Sequence, residues 1–227
     1  YFYGFREESR TNADGQSELV HIPLTAEDVL HPREDDFIMS NDAHRRNNHL
    51  LEDVLRWRVA DVPRAIALFD HLIDFQVGDL KPLRPDAIVL LDSGPWDSHR
   101  GTYPVRDMGA RLLCIVEVTS PSTRRMDLND KIDAYGLGGV PLYVIADTIK
   151  VGNDYRLELR EYRLTAGRLV LVATGAGHRV RLPAPLDLWL ETDGDMLVIR
   201  DAAGTQLGTY ATVAQRADEE KRRAEQE

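Results

Sequence analysis

The chain is short of cysteine, short of lysine and without any long apolar run, and each shortage excludes something. Its one cysteine, Cys114, can form neither an internal disulfide nor a cysteine zinc cage, which fits a reducing cytoplasm. No apolar stretch approaches the roughly 20 residues that span a bilayer, and no secretory signal pattern opens the chain. A G-x-S-x-G nucleophile turn and a G-x-x-x-x-G-K phosphate loop are both missing. The histidines show no zinc spacing, and His44 and His49 stand too far apart around a helix to act as a pair. Only Lys81, Lys131, Lys150 and Lys221 are lysines; every other basic side chain of fixed charge is arginine. A net charge of −10 excludes a protein that coats nucleic acid by neutralising phosphates in bulk. It leaves room for an enzyme whose local positive charge comes from a bound metal ion. In such a chain a lysine beside carboxylates needs a reason.

What is present reads as one decorated domain. With 227 residues, 43% of them hydrophobic and 29% charged, the chain buries a self-sufficient core. Residues 1–40 are expected to be a polar, turn-rich extension holding one helical turn at Leu24–Leu30, capped by Thr25 with Asp28 at its third position. Residues 41–210 form the domain, and 211–227 the start of a helical or coiled-coil tail. The chain opens at Tyr1 rather than Met and closes on Ala214–Glu227 with no cap, so we expect it to continue at both ends.

Within the domain, helical spacing of Leu50, Leu51, Val54, Leu55 and Val59 predicts a helix from Asn41 to about Ala60. One strand is expected in Ala67–Val77 and another in Pro85–Leu91, followed by a loop over residues 92–110. Arg111–Thr119 is the strongest strand. Alternation turns Leu112, Cys114, Val116 and Val118 to one face, and Leu113, Ile115, Glu117 and Thr119 to the other. A helix over 125–137, with Leu128, Ile132 and Tyr135 as its stripe, ends at Gly138-Gly139 and feeds a strand at Val140–Asp147. Strand, helix and strand in that order predict a parallel pair. Two hairpins follow, one around Gly167 and one joining Met196–Ile199 to Thr205–Leu207, and form a peripheral region over 155–207.

Three residues carry chemistry in this layout. Asp86 opens a strand behind Pro85. Glu117 sits inside a strongly apolar strand, where a carboxylate is expensive to bury unless it is paired or bound to metal. Lys131 falls at the edge of the stripe on the following helix. Two carboxylates and a lysine are the minimum for metal-assisted phosphodiester hydrolysis. The carboxylates hold a hard cation through oxygen, and the lysine orients or activates the attacking water.

Pro85-Asp86, followed by Glu117-Val118-Thr119, resembles the PD-(D/E)XK nuclease superfamily, with Thr119 where its strand lysine usually stands. The run from Ile115 to Lys131, continued by Tyr135 and Gly139–Asp147, is similar to the Uma-two family of restriction-endonuclease-like proteins. In that family the lysine has moved to the helix. The resemblance covers about residues 20–200 and takes in Leu24–Pro32, Asp42-Ala43-His44 and the late hairpins. It implies an α/β fold, a restriction-endonuclease-like mixed β-sheet flanked by helices, to which the residues themselves add extra β-hairpins and a C-terminal helical tail. It also implies a Mg²⁺-dependent (or Mn²⁺-dependent) endonuclease acting on DNA as a homodimer, for which the tail is a candidate dimerisation element. Asp86 and Glu117 would hold the metal with the Val118 carbonyl as third ligand, and Lys131 would be the catalytic lysine. Glu52, on the first long helix, would be an accessory acidic residue.

Plainer readings of the same residues stay open on sequence grounds. Asp86 also suits a turn cap after Pro85, Lys131 a surface pair with Asp127, and Glu117 a structural pair with an arginine. Arg124 and Arg125 suit a phosphate grip or a merely soluble loop, and Leu188-Trp189-Leu190 suits core or interface packing. The competing class is a non-catalytic interaction module that keeps the fold, which the acidic charge and the absent strand lysine favour.

Overall fold

A computed structural model of the chain describes residues 4–11, 17–25, 27–28, 31, 33, 36–38, 42–97, 99–119, 128–152 and 154–209. The tail from 211 onward, Arg124, Arg125 and Asp127 lie outside them. The N-terminal stretch is more than a turn-rich extension. Strands β1 (Gly4–Thr11), β2 (Ser17–Pro23) and β3 (Asp36–Ile38) form an antiparallel sheet in the order β2-β1-β3. These strands carry little apolar alternation, so their pairing is set by backbone complementarity rather than by a pattern legible in one strand.

The capping turn forms as expected. The Thr25 hydroxyl and Thr25 N–H both donate to Asp28 Oδ2, at 2.5 and 2.9 Å, and Asp28 N–H donates back to Thr25 Oγ1 at 3.2 Å. Those bonds, with help from Arg6, outweigh desolvation and hold the Asp28 carboxyl down to about 2. A folded pKa below the ordinary value means that this stabilisation is present above about pH 4 and fades as pH falls towards 2. Thr25→Ala is expected to move the Asp28 carboxyl back towards the ordinary aspartate range in an NMR titration. An unmoved titration would mean that the reciprocal bonds are not formed in solution.

Helix α1 (Asp42–Val59) follows, then β4 (Ile66–Phe69), β5 (Leu72–Asp74), β6 (Ala87–Leu91), β7 (Thr102–Pro104) and β8 (Arg111–Val118). Helix α2 (Asp130–Leu137) leads to β9 (Leu142–Val151), β10 (Asp154–Thr165) and β11 (Arg168–Gly175). Six of these strands make one mixed sheet in the order β11-β10-β9-β8-β6-β4. Only β8 and β9 run parallel within it, joined through α2 as the strand–helix–strand pattern requires. Leu51, Val54 and Leu55 of α1 pack on one face, against Val89, Cys114 and Val116. Tyr135 of α2 packs on the other, against Ile115, Tyr143 and Ile145, with Leu128 and Ile132 half-buried beside it. A smaller antiparallel sheet follows, of β12 (Val180–Leu182), β13 (Leu188–Asp193), β14 (Met196–Arg200) and β15 (Gln206–Leu207). Leu188, Leu190 and Ile199 enter the same core as α1. Buried Asn47 of α1 pins that sheet, donating to the Asp195 carbonyl at 2.9 Å and accepting from Leu197 N–H at 2.8 Å.

Four expectations need correction. Residues 67–77 hold two strands, because Asp70 turns the chain at φ +44° between β4 and β5. The 92–110 loop contains β7, which pairs in parallel with β5. The β10–β11 hairpin is no peripheral addition but extends the main sheet. The faces of β8 also differ from strict alternation. Val89 pairs with Cys114 but Leu90 with Leu112, so Leu113 is an extra residue and swings onto the α1 side with Cys114. Leu112 then packs against the α2 side with Ile115. Glu117, beyond the bulge, keeps its expected face.

Candidate active site

The sequence-predicted residues meet at the end of the sheet where β6 begins and β8 finishes. Pairing of Ala87 with Val116 sets Asp86 opposite Glu117. Pro85 has no N–H for the ladder, and side chains take over where the ladder stops. Asp86 N–H donates to Glu117 Oε2 at 3.1 Å, and Val118 N–H donates to Asp86 Oδ2 at 2.8 Å. Each carboxylate thus holds the other's strand. In a strand the N–H and C=O of one residue point the same way, so the Val118 carbonyl also faces the Asp86 side.

Helix α2 brings the third residue. Lys131 Nζ donates to Glu117 Oε1 at 2.8 Å, and the Tyr135 hydroxyl donates to the same oxygen at 2.8 Å. Lys131 and Tyr135 stand four apart, hence on one helical face. The Glu117 side chain is 1% exposed and that of Lys131 15%. Among the described residues the cation on Glu117 is Lys131; Asp127, the other partner weighed for that lysine, lies outside them. From the opposite layer, His44 in the first turn of α1 sets Nε2 3.8 Å from Asp86 Oδ2, beyond hydrogen-bond distance. Burial pushes the Asp86 carboxyl up, but His44, the Val118 N–H and the Lys131 charge together outweigh it and hold it below the usual range. Asp86 therefore stays ionised at neutral pH.

Asp86 opens into a cleft of about 330 Å³ lined by His44, Arg45, Asn48, His49, Glu52 and Phe69. Glu52 reaches this cleft, but its ion pair is with Arg56, at 2.9 Å, and among the described residues none joins it to Asp86 or Glu117. Thr119, in the place of the strand lysine, is fully buried and donates to Asp147 Oδ1 at 3.2 Å. Cys114 lies in the α1-side core, where burial pushes its thiol up to about 12, so it is no nucleophile. Leu188 and Leu190 are core, while Trp189 lies under Arg179 and Arg181, whose guanidinium carbons sit 4.8 and 5.9 Å from its ring centre.

The donor set fits a hard divalent cation. Two carboxylates and a carbonyl offer oxygen only, and Mg²⁺ is commonly held by one or two carboxylates with waters or phosphate filling the octahedron. Among the described residues no cluster of three or more His, Cys, Asp or Glu side chains could hold a metal ion.

Two more residues meet this site, Tyr135 and His44. Tyr135 fits the apolar stripe of α2, and its four-residue spacing from Lys131 is the signal in the sequence for its place here. His44 falls in the Asp42-Ala43-His44 stretch of the resemblance, but nothing local points from α1 to Asp86.

No curated protein matches the chain. Among solved structures, that of a putative nuclease belonging to DUF820 from Anabaena variabilis ATCC 29413 is 14% identical, covers 64% of this chain and 75% of that one, and superposes with a TM-score of 0.47. Residues 36–193 match the family described as Uma2, putative restriction endonuclease. That stretch holds α1, α2, the whole six-stranded sheet and Asp86, Glu117 and Lys131. With well over half of its length inside the match, the chain belongs to the Uma2 family of putative restriction endonucleases.

Proposed function

We propose that the chain is a divalent-metal-dependent endonuclease that hydrolyses phosphodiester bonds in DNA, working as a homodimer in which each subunit cuts one strand. One observation carries the reading. A lysine from a helix and a carboxylate from each of two neighbouring strands converge at one sheet end, with Lys131 Nζ 2.8 Å from Glu117 and Asp86 bonded to the Val118 amide. Asp86, Glu117 and the Val118 carbonyl would hold Mg²⁺ or Mn²⁺. When bound, the ion supplies charge to the phosphate oxygen and acidity to water. Lys131, held by Glu117, directs its remaining ammonium hydrogens at the attacking water and the phosphate. Tyr135 fixes Glu117 Oε1, so that the lysine and the carboxylate keep one geometry. His44 and the Val118 N–H do the same for Asp86.

A second reading, an interaction module without turnover, draws on one fact. Glu117 Oε1 already accepts from both Lys131 and Tyr135, as a purely structural carboxylate would. Asp86 separates the two readings. The wild type is expected to nick supercoiled plasmid with Mg²⁺ or Mn²⁺, and to show a weak metal-binding heat by calorimetry. Asp86→Asn should lose both. Equal heats from the two proteins would remove Asp86 from the metal role. A wild type that cleaves neither plasmid nor an RNA substrate would favour the module.

A further inference from the structure

The face of the sheet that carries Glu117 holds a second buried charge that metal chemistry does not use. Asp147, on β9, is fully buried and accepts at 2.8 Å from Nε of Arg160, on β10. Its other oxygen takes the Thr119 hydroxyl at 3.2 Å. Thr119 is fixed in turn: its Oγ1 accepts from Thr148 N–H at 2.8 Å, and its carbonyl from the Thr148 hydroxyl at 2.8 Å. Glu117 pairs across the sheet with Ile145, and Ile145 with Arg160. The three thus lie in one row on one face, which sets the backbones of Glu117 and Arg160 two strands, about 10 Å, apart.

The geometry points to Arg160 as a backbone-phosphate subsite of this active site, gripping the phosphodiester next to the one held at Asp86 and Glu117. The inference rests on the nuclease reading. A guanidinium has five N–H donors; Arg160 spends Nε on Asp147 and also meets the Tyr162 hydroxyl, which leaves the remaining N–H groups for another anion. Arg160 remains 24% exposed although its partner is fully buried, so the group bridges the core and the solvent. Its place is the carboxyl end of the parallel β8–β9 pair, where an open α/β sheet forms its ligand crevice. Nearby, Lys131 is paired with Glu117, and Glu158, which lies opposite Asp147 and two residues before Arg160 on β10, is paired with Arg156 at 3.0 Å. In a chain of net charge −10, an arginine held in place two strands from the carboxylates is a cation placed to meet a neighbouring phosphate.

The test must not take the guanidinium from buried Asp147 and leave its charge in place. The double variant D147N/R160Q removes both charges with little change in volume and leaves the net charge of the protein unaltered. With a fluorescent duplex oligodeoxynucleotide and Mg²⁺ in a Lys131→Ala background, it is expected to bind about tenfold more weakly at low salt. Its slope of log K against log[salt] should be shallower by about 0.9, the signature of one lost phosphate contact. The control R156Q/E158Q, a neighbouring pair on the same strand, should leave both readings where they were. In the cleavage-competent protein, D147N/R160Q should raise KM with kcat within about twofold. Should that double variant unfold, Arg160→Lys keeps a charge opposite Asp147, and the same rise in KM is expected at an unchanged melting temperature. An unchanged slope and KM in a wild type that cleaves would make Arg160 only the partner of Asp147, ending this inference while the nuclease reading stands. A wild type that neither binds nor cleaves duplex DNA overturns both.

Discussion

Lys131→Ala is expected to lose metal-dependent nicking of plasmid by about 10²–10⁴-fold, the usual scale for removing a group that acts on a proton in flight. The loss should come with a specific thermal signature. Lys131 is a cation on a carboxylate that is 1% exposed, so its removal takes from Glu117 the ammonium held at 2.8 Å while the Tyr135 hydroxyl and the Asp86 amide stay. Without metal the variant should therefore melt earlier than the wild type. A divalent ion at Asp86 and Glu117 would restore the missing positive charge, and no ammonium would repel it. Added Mg²⁺ or Mn²⁺ should accordingly raise the melting temperature of Lys131→Ala by more than that of the wild type. Lys131→Arg should recover stability but little cleavage, because the planar fork replaces a compact ammonium at a site closed on one side by Tyr135. A structural lysine would behave differently: both variants would keep cleavage, and metal would shift every melting curve alike. Full cleavage by Lys131→Ala would remove the helix lysine from the mechanism.

How much of this site was legible in the chain depends on where each residue's environment is written. Glu117 was visible because its strand is so apolar that an ionisable group needs a reason, and its environment is carried by its own neighbours in sequence. Lys131 was visible for a related reason, as a rare lysine at the edge of a helical stripe. His44 and Arg160 were not, because their partners Asp86 and Asp147 reach them only through packing between layers or pairing between strands. The same limit explains the fold. The α1 face, the β8–α2–β9 crossover and both hairpins carry periodicity or turn residues, and they form where the pattern puts them. The N-terminal sheet lacks alternation, and the short β5–β7 pair is parallel and joins distant segments, so neither shows in a local window. The bulge at Leu113 is a further case: period two held from Cys114 onward, and one inserted residue reversed everything before it.

Glu117→Gln is expected to lower the melting temperature by roughly 6–12 °C, following a loss of about 3 kcal/mol in a domain of this size. A carboxylate held idle for a metal would have predicted the reverse, since removing a strained buried charge often stabilises a functional site. The hydrogen bonds decide between the two. Glu117 accepts from Lys131 Nζ, Tyr135 OH and Asp86 N–H, so its charge already has a cation and two dipoles turned towards it. Glutamine keeps one acceptor oxygen for the two α2 donors, but it turns an amide N–H₂ towards the Asp86 amide, donor against donor. Lys131 is left without its carboxylate at 15% exposure, and its flexible stem lets the ammonium move towards water, which holds the cost near the lower end for a broken buried pair. A double variant gives the decisive comparison. Glu117→Gln with Lys131→Met removes both charges, and a pair that costs much to break often costs little to replace. The double variant should therefore melt closer to the wild type than Glu117→Gln alone, with a coupling of about 1–3 kcal/mol between the two positions. Additive losses from the single variants would mean that the Lys131–Glu117 contact does not exist in solution, and the geometry on which the metal site is built would go with it.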